Sequence, residues 1–196
     1  MDYKAYWEKG MTANEYYSLV ENLVNEGKTS GPNQMEALVH FTKLNQQRMH
    51  RIHKTTKVNE GLKALLEAKK DELGFLIITE SWCGDAAQIV PVFTKLSEVA
   101  GVEVKLVLRD ENTDLIDVHL TNGGRSIPII VALNKKDWSV KFVWGPRPTE
   151  LQQYVLEHKN APEPKISHEE LVAELQKWYN EDKQVSIQRE LAELVA

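Results

Sequence analysis

The chain contains a single cysteine, Cys83. One thiol excludes an intramolecular disulfide and any cysteine-cluster zinc site. It also suits a compartment where thiols stay reduced, so a cytoplasmic location is expected. No run approaches the ~18 consecutive apolar residues of a membrane-spanning helix, so no membrane partner is expected. The opening stretch, MDYKAYWEKGMTANEYY, is polar and carries Asp and Glu, which does not fit a secretory signal. A basic excess is missing too. With 24 Lys and Arg against 29 Asp and Glu the net charge is −5, which argues against general nucleic-acid binding. There is no internal repeat and no low-complexity tract. What remains, at 196 residues, is one large domain or a core of ~100 residues with extensions.

The N-terminal third reads as helical. Thr12 and Glu15 have the spacing of a capping box. Behind them Tyr16, Leu19, Val20, Leu23 and Val24 recur at the period of one helix face, and Gly27 ends the run. Helices are also expected over 34–54 and 59–70. The period then changes. GFLIITE, ending at Glu80, is a short continuous apolar run, the pattern of a strand buried on both faces. VEVKLVL at 102–108, IPIIVAL from Ile127 and WSVKFVW at 138–144 are further strands, the last two joined by the NKKD turn as a hairpin. Helices over 85–99, 112–120 and 149–158 separate them, which implies an α/β sandwich. Beyond the linker-like KNAPEPK, Ser167 and Glu170 form a second capping box, followed by an apolar stripe through Leu171, Leu175, Trp178 and Tyr179. A last helix is expected over 185–195.

Three features stand at telling positions. WCGDA, Trp82 to Ala86, lies at the junction of the first strand and its following helix. Pro91 sits inside that helix, eight residues after Cys83. SIP, Ser126 to Pro128, opens a strand some 45 residues later. In that strand order the region 58–160 resembles the thioredoxin-fold family. The resemblance implies a central mixed sheet flanked by helices, with helical extensions over 1–57 and 161–196. It also implies a nucleophile at Cys83, a cis peptide bond before Pro128 facing that thiol, and a substrate groove bounded by Trp82, Gly84, Ile127, Pro128 and Gly145. RDEN, TNGGRSIP and WGPRP extend the likeness to bacterial thioredoxin-like proteins with helical additions.

The departures from the family pattern carry as much chemistry as the matches. A cysteine at a helix N-terminus faces free N–H groups and the positive end of the dipole, and both favour the thiolate. Where the family keeps its second cysteine this chain has Ala86, which cannot resolve a mixed disulfide, so a dithiol cycle within one chain is excluded. Ile77 stands where the family keeps a buried Asp. Asp85 replaces the family's Pro and puts a negative charge beside the thiol, with Glu80 nearby, and like charges disfavour ionisation. Arg125 and Arg147 are candidates to offset it. The resemblance implies a monothiol thiol-disulfide oxidoreductase that uses Cys83 with an external small thiol. The alternatives are a redox-inactive module that holds partner peptides in the cis-proline groove, and a cysteine-based redox sensor. The expected partners are protein or peptide thiols and disulfides, or a glutathione-type small thiol; no cofactor is expected.

Other motifs weigh less. His50 and His53 share a helical face, but no cysteine or acid completes a ligand set nearby, so no metal is expected. Arg48, Arg51, Lys54 and Lys57 read as a solvated face. RDEN reads as a strand end and helix cap, and the glycines of TNGGRSIP allow close backbone approach to a ligand. The outer helices carry apolar stripes that need cover, most simply from the core itself.

Overall fold

The structure, a computed structural model, describes residues 1–163 and 165–196. In chain order the elements are α1 (Tyr3–Lys9), α2 (Ala13–Asn25), α3 (Glu36–Thr55), α4 (Glu60–Lys69), β1 (Leu73–Thr79), α5 (Ala86–Ala100), β2 (Glu103–Leu108), α6 (Thr113–Asp117), β3 (Ile129–Asn134), β4 (Val140–Trp144), α7 (Thr149–Asn160), α8 (His168–Asp182) and α9 (Val185–Val195). The four strands form one mixed sheet in the order β2-β1-β3-β4. β1 runs parallel to β2 and antiparallel to β3, and β3 and β4 form the hairpin. This is a thioredoxin-like α/β fold with added helices at both ends.

β1 is central, and every residue in it is buried, as its unbroken apolar run requires. Ile77 is one of them. α5 packs on the sheet through Ile89, Val90, Val92, Phe93 and Leu96, and α3 lies along α5. The terminal helices join the same core. Tyr16 and Val20 of α2, Tyr6 and Trp7 of α1, Leu175 and Tyr179 of α8, and Ile187 and Leu191 of α9 all belong to one buried cluster. Trp7 lies so close over Gly74 of β1 that a Cβ there would fall 2.8 Å from its ring atom Cζ3, so the strand needs glycine at that point.

Local chemistry explains most boundaries. Both capping boxes form, at Thr12–Glu15 and Ser167–Glu170. Several elements differ from the sequence reading. α1 was not expected: it is seven residues long and buries only the adjacent Tyr6 and Trp7, too few to show a period. α6 stops at Asp117, not 120, before the turn closed by Thr121 and Gly124. β4 begins at Val140, not 138, because Trp138 has φ +62° in the turn. α8 runs on to Asp182, past Tyr179. Among the described residues no helix is long and apolar enough to cross a membrane.

Candidate functional site

The loop that carries Cys83 is fixed from beneath by a buried polar cluster. β1 ends at Thr79, and Glu80 and Ser81 follow, both buried. The Glu80 carboxylate accepts from the Ser30 hydroxyl and, at 2.8 Å, from the Asp110 backbone N–H. Ser81 N–H donates to Ser30 Oγ at 2.9 Å, and Asn45 Nδ2 of α3 donates to the Ser81 carbonyl at 2.9 Å. Thr42 shares a hydroxyl contact with Ser81 at 3.0 Å. With its polar groups satisfied by three separate segments, the turn that presents Trp82 and Cys83 is held in one arrangement. Burial pushes the Glu80 carboxyl pKa up, against those two hydrogen bonds.

Cys83 sits ahead of α5 with only 8% of its surface exposed. Its thiol donates to the Ile127 carbonyl oxygen at 3.4 Å. The Ile127–Pro128 peptide bond is cis, and β3 opens at Ile129, two residues after that acceptor. Burial pushes the thiol pKa up to about 12, and the Asp85 charge pushes the same way. The N–H groups of Ala86 and Asp85 and the Arg147 charge oppose these effects without overcoming them. The helix N-terminus therefore points at the sulfur, but removal from water wins. Ala86, at the position of the absent second cysteine, is itself buried.

Asp85 explains why α5 lacks a side-chain cap at its start. Its carboxylate is turned the other way. It pairs with Arg147 at 2.6 Å and accepts from the Tyr179 hydroxyl of α8 at 3.0 Å. Burial raises the Asp85 pKa, and both partners oppose that rise. Arg147 also donates to Gln152 at 3.0 Å, while its Nε is buried without an acceptor. One turn before Tyr179, Gln176 reaches the Gly84 carbonyl at 3.4 Å and accepts from Gln88 at 2.7 Å. α8 thus lies across the site, held by Asp85, Gly84 and Gln88.

The remaining candidates divide. Trp82, Gly84, Ile127 and Arg147 line one cleft of about 620 Å³ together with Cys83 and Asp85. Trp82 is half-buried beneath the Arg109 guanidinium, 4.9 Å from its ring. Gly145, with φ +120°, lies so close to the cis-proline that an added Cβ would overlap the Pro128 carbonyl oxygen. Arg125 lines the cleft, but its guanidinium is taken by Asp117 at 2.6 Å and does not offset the charge beside Cys83. His50 and His53 lie elsewhere, and His53 faces Glu98 at 3.2 Å. Among the described residues no group of three His, Cys, Asp or Glu could hold a metal ion. Several polar cleft residues escaped the sequence reading. Arg48 is half-buried in the wall and not on a solvated face, and Gln176 comes from a helix whose stripe shows amphipathicity but not its target. Arg109, read only as part of a strand end, lines the cleft as well.

The buried thiol has a consequence for stability. Its pKa is about 12 in the fold and ~8.5 in the unfolded chain. The contribution is complete below ~8.5 and is lost as pH rises toward 12, because only the unfolded chain then releases the proton. Urea unfolding at pH 8 and pH 10 is expected to show a loss of about 1–2 kcal/mol, near the limiting slope of ~1.4 kcal/mol per pH unit. Cys83→Ala is expected to remove that loss. An equal slope in the variant would place the thiol outside the buried site.

A thioredoxin family model matches residues 31–165. The chain belongs to the thioredoxin family. Its overall shape is similar to two solved structures that it covers from end to end. One is a protein of unknown function from Pseudomonas aeruginosa, at 12% identity and TM-score 0.65 over 97% of that chain. The other is an HIV epitope-scaffold, at 12% identity and TM-score 0.63 over 98% of that chain. At such identity the likeness extends to the fold alone. No curated protein matches the sequence. What distinguishes this thioredoxin-family chain is its lone, covered cysteine and the helix laid over it.

Proposed function

We propose that this thioredoxin-family protein is a ligand-binding module that keeps the groove of its fold, with Cys83 serving as a neutral hydrogen-bond donor in the cleft wall. The observation that carries this reading is the buried thiol, bound to the Ile127 carbonyl and raised to about 12. At pH 7 such a thiol is ionised in only about one molecule in 10⁵, against a few per cent for a free cysteine. The absence of a second cysteine agrees with it. A lone unpaired thiol also suits a reducing cytoplasmic setting.

A second reading has its own support. The N–H groups of Asp85 and Ala86 both bear on the sulfur. If α8 lifted, water and those donors would lower the thiol pKa, and a small thiol could resolve a mixed disulfide formed on Cys83. One experiment separates the two. The full chain is incubated with oxidised glutathione at neutral pH and its intact mass is followed, with a urea-unfolded sample in parallel. The binding reading expects a glutathionyl adduct on the unfolded chain and none on the native one. Fast, stoichiometric adduct formation on the native protein would replace it with the monothiol reading.

A further inference from the structure

The cleft beside Cys83 is more strongly marked than a silent thiol requires. Its two long walls are α3 and α8. From α3 come Leu38 and Phe41, and from α8 come Leu171 and Val172. All four side chains are only half-buried, so this apolar surface lacks full cover. The volume, about 620 Å³, lies within the ~300–1,000 Å³ typical of small-molecule sites.

The charges in the wall are one-sided. Four arginines, Arg48, Arg109, Arg125 and Arg147, line the cleft against one carboxylate, Asp85. Three of the four are already neutralised: Arg109 by Asp110, Arg125 by Asp117 and Arg147 by Asp85. Among the described residues Arg48 has no carboxylate partner. Its hydrogen bond to Asn45 Oδ1, at 3.0 Å, uses Nη1 alone. Burial makes its charge costly, and neighbouring Arg51 adds to that. An unpaired, half-buried guanidinium is relieved by an anion, and its planar fork matches a carboxylate through two parallel hydrogen bonds.

We propose that this cleft binds a small monoanionic carboxylate with an apolar body, its carboxylate on Arg48 and its body between Leu38 and Phe41 of α3 and Leu171 and Val172 of α8. A single uncompensated cation matches one negative charge, which selects a carboxylate over a dianionic phosphate monoester. The apolar walls select against small polar acids such as acetate. The proposal rests on the binding reading given above and deepens it by naming the ligand class.

Decanoate is the probe, titrated calorimetrically into the full chain below its micelle concentration, with decanol and decyl phosphate as comparisons. Saturable binding of one decanoate per chain is expected, at least tenfold tighter than decanol and tighter than decyl phosphate. Arg48→Met is expected to weaken decanoate at least tenfold and to leave decanol within twofold. Among the described residues the only side-chain bond this variant loses lies within α3, and a second pair guards against misfolding: Val172→Glu is expected to weaken decanoate at least tenfold relative to Val172→Gln, the two differing only in charge. Absence of saturable decanoate binding, or binding that Arg48→Met and Val172→Glu both leave within twofold, would overturn the proposal. Tighter binding of decyl phosphate would reject a carboxylate in favour of a phosphate ligand. A native Cys83 that forms the glutathione adduct while decanoate still binds would remove the reading of the thiol and leave this one standing. A silent thiol without decanoate binding would do the reverse.

Discussion

Arg147→Met is expected to lower the thermal midpoint by about 10 °C, the counterpart of roughly 3–5 kcal/mol in a chain of this size. The physical reason is the partner it abandons. The Asp85 side chain is 10% exposed and that of Arg147 is 17% exposed, so neither can hand its charge to water. Without the guanidinium, Asp85 would keep only the Tyr179 hydroxyl as a strong partner. An unpaired carboxylate in that position either stays charged at high cost or takes up a proton, and both destabilise the fold at neutral pH. Asp85→Asn combined with Arg147→Met removes both charges, and an amide oxygen at 85 can still accept from Tyr179. The double variant is therefore expected to recover most of the loss. Differential scanning calorimetry of the two single variants and the double one checks this. A drop below ~3 °C for Arg147→Met would mean that the pair contributes no more than a surface ion pair.

Gly145→Ala is expected to cost about 3–5 kcal/mol and to disturb the cleft as well as the fold. Two constraints meet at this residue. Its φ of +120° lies where side chains are strongly disfavoured. A Cβ would also overlap the Pro128 carbonyl oxygen, which is backbone and cannot swing aside as a flexible side chain would. Relief requires the segment from Ile127 to Ile129 to move, and Ile127 supplies the acceptor for the Cys83 thiol. The variant should thus show both a lowered urea midpoint and faster alkylation of Cys83. Gly123→Ala makes a useful comparison. It also has positive φ, +76°, but nothing lies within 4 Å of the added atom. Its expected loss is about 1 kcal/mol, since only backbone strain remains. Equal losses in the two variants would mean that the overlap at Gly145 is relieved at no cost.

The fold was largely legible in the sequence because its signals are local. The continuous run of β1, the two capping boxes and the change of period after α4 each follow from near neighbours in the chain. That the segment at Pro128 would face Cys83 was legible only through the family resemblance that WCG and SIP carry. What sequence could not supply was the direction of long polar side chains. Asp85, Arg125 and Arg147 were all candidates to set the thiol's charge balance. Nothing local distinguishes Arg147, which turns to Asp85, from Arg125, which turns to Asp117. Arg48 sits in a run of basic residues that reads as solvated, and only the approach of α8 converts it into cleft wall. α8 itself shows its apolar stripe in the sequence, yet the reach of Gln176 and Tyr179 to Gly84 and Asp85 spans 92 and 94 positions. Those contacts lay α8 across the loop that carries Cys83, beside a helix-terminal thiol whose pKa burial pushes up.

What separates the two readings of Cys83 is its protonation state. The ultraviolet absorbance of the thiolate, recorded against pH on the native full chain with Cys83→Ala as the blank, reads it directly. The expected midpoint lies above pH ~10, or is not reached before the protein unfolds. A midpoint near or below ~8.5 would show an exposed, working thiolate and would contradict the binding reading of the site.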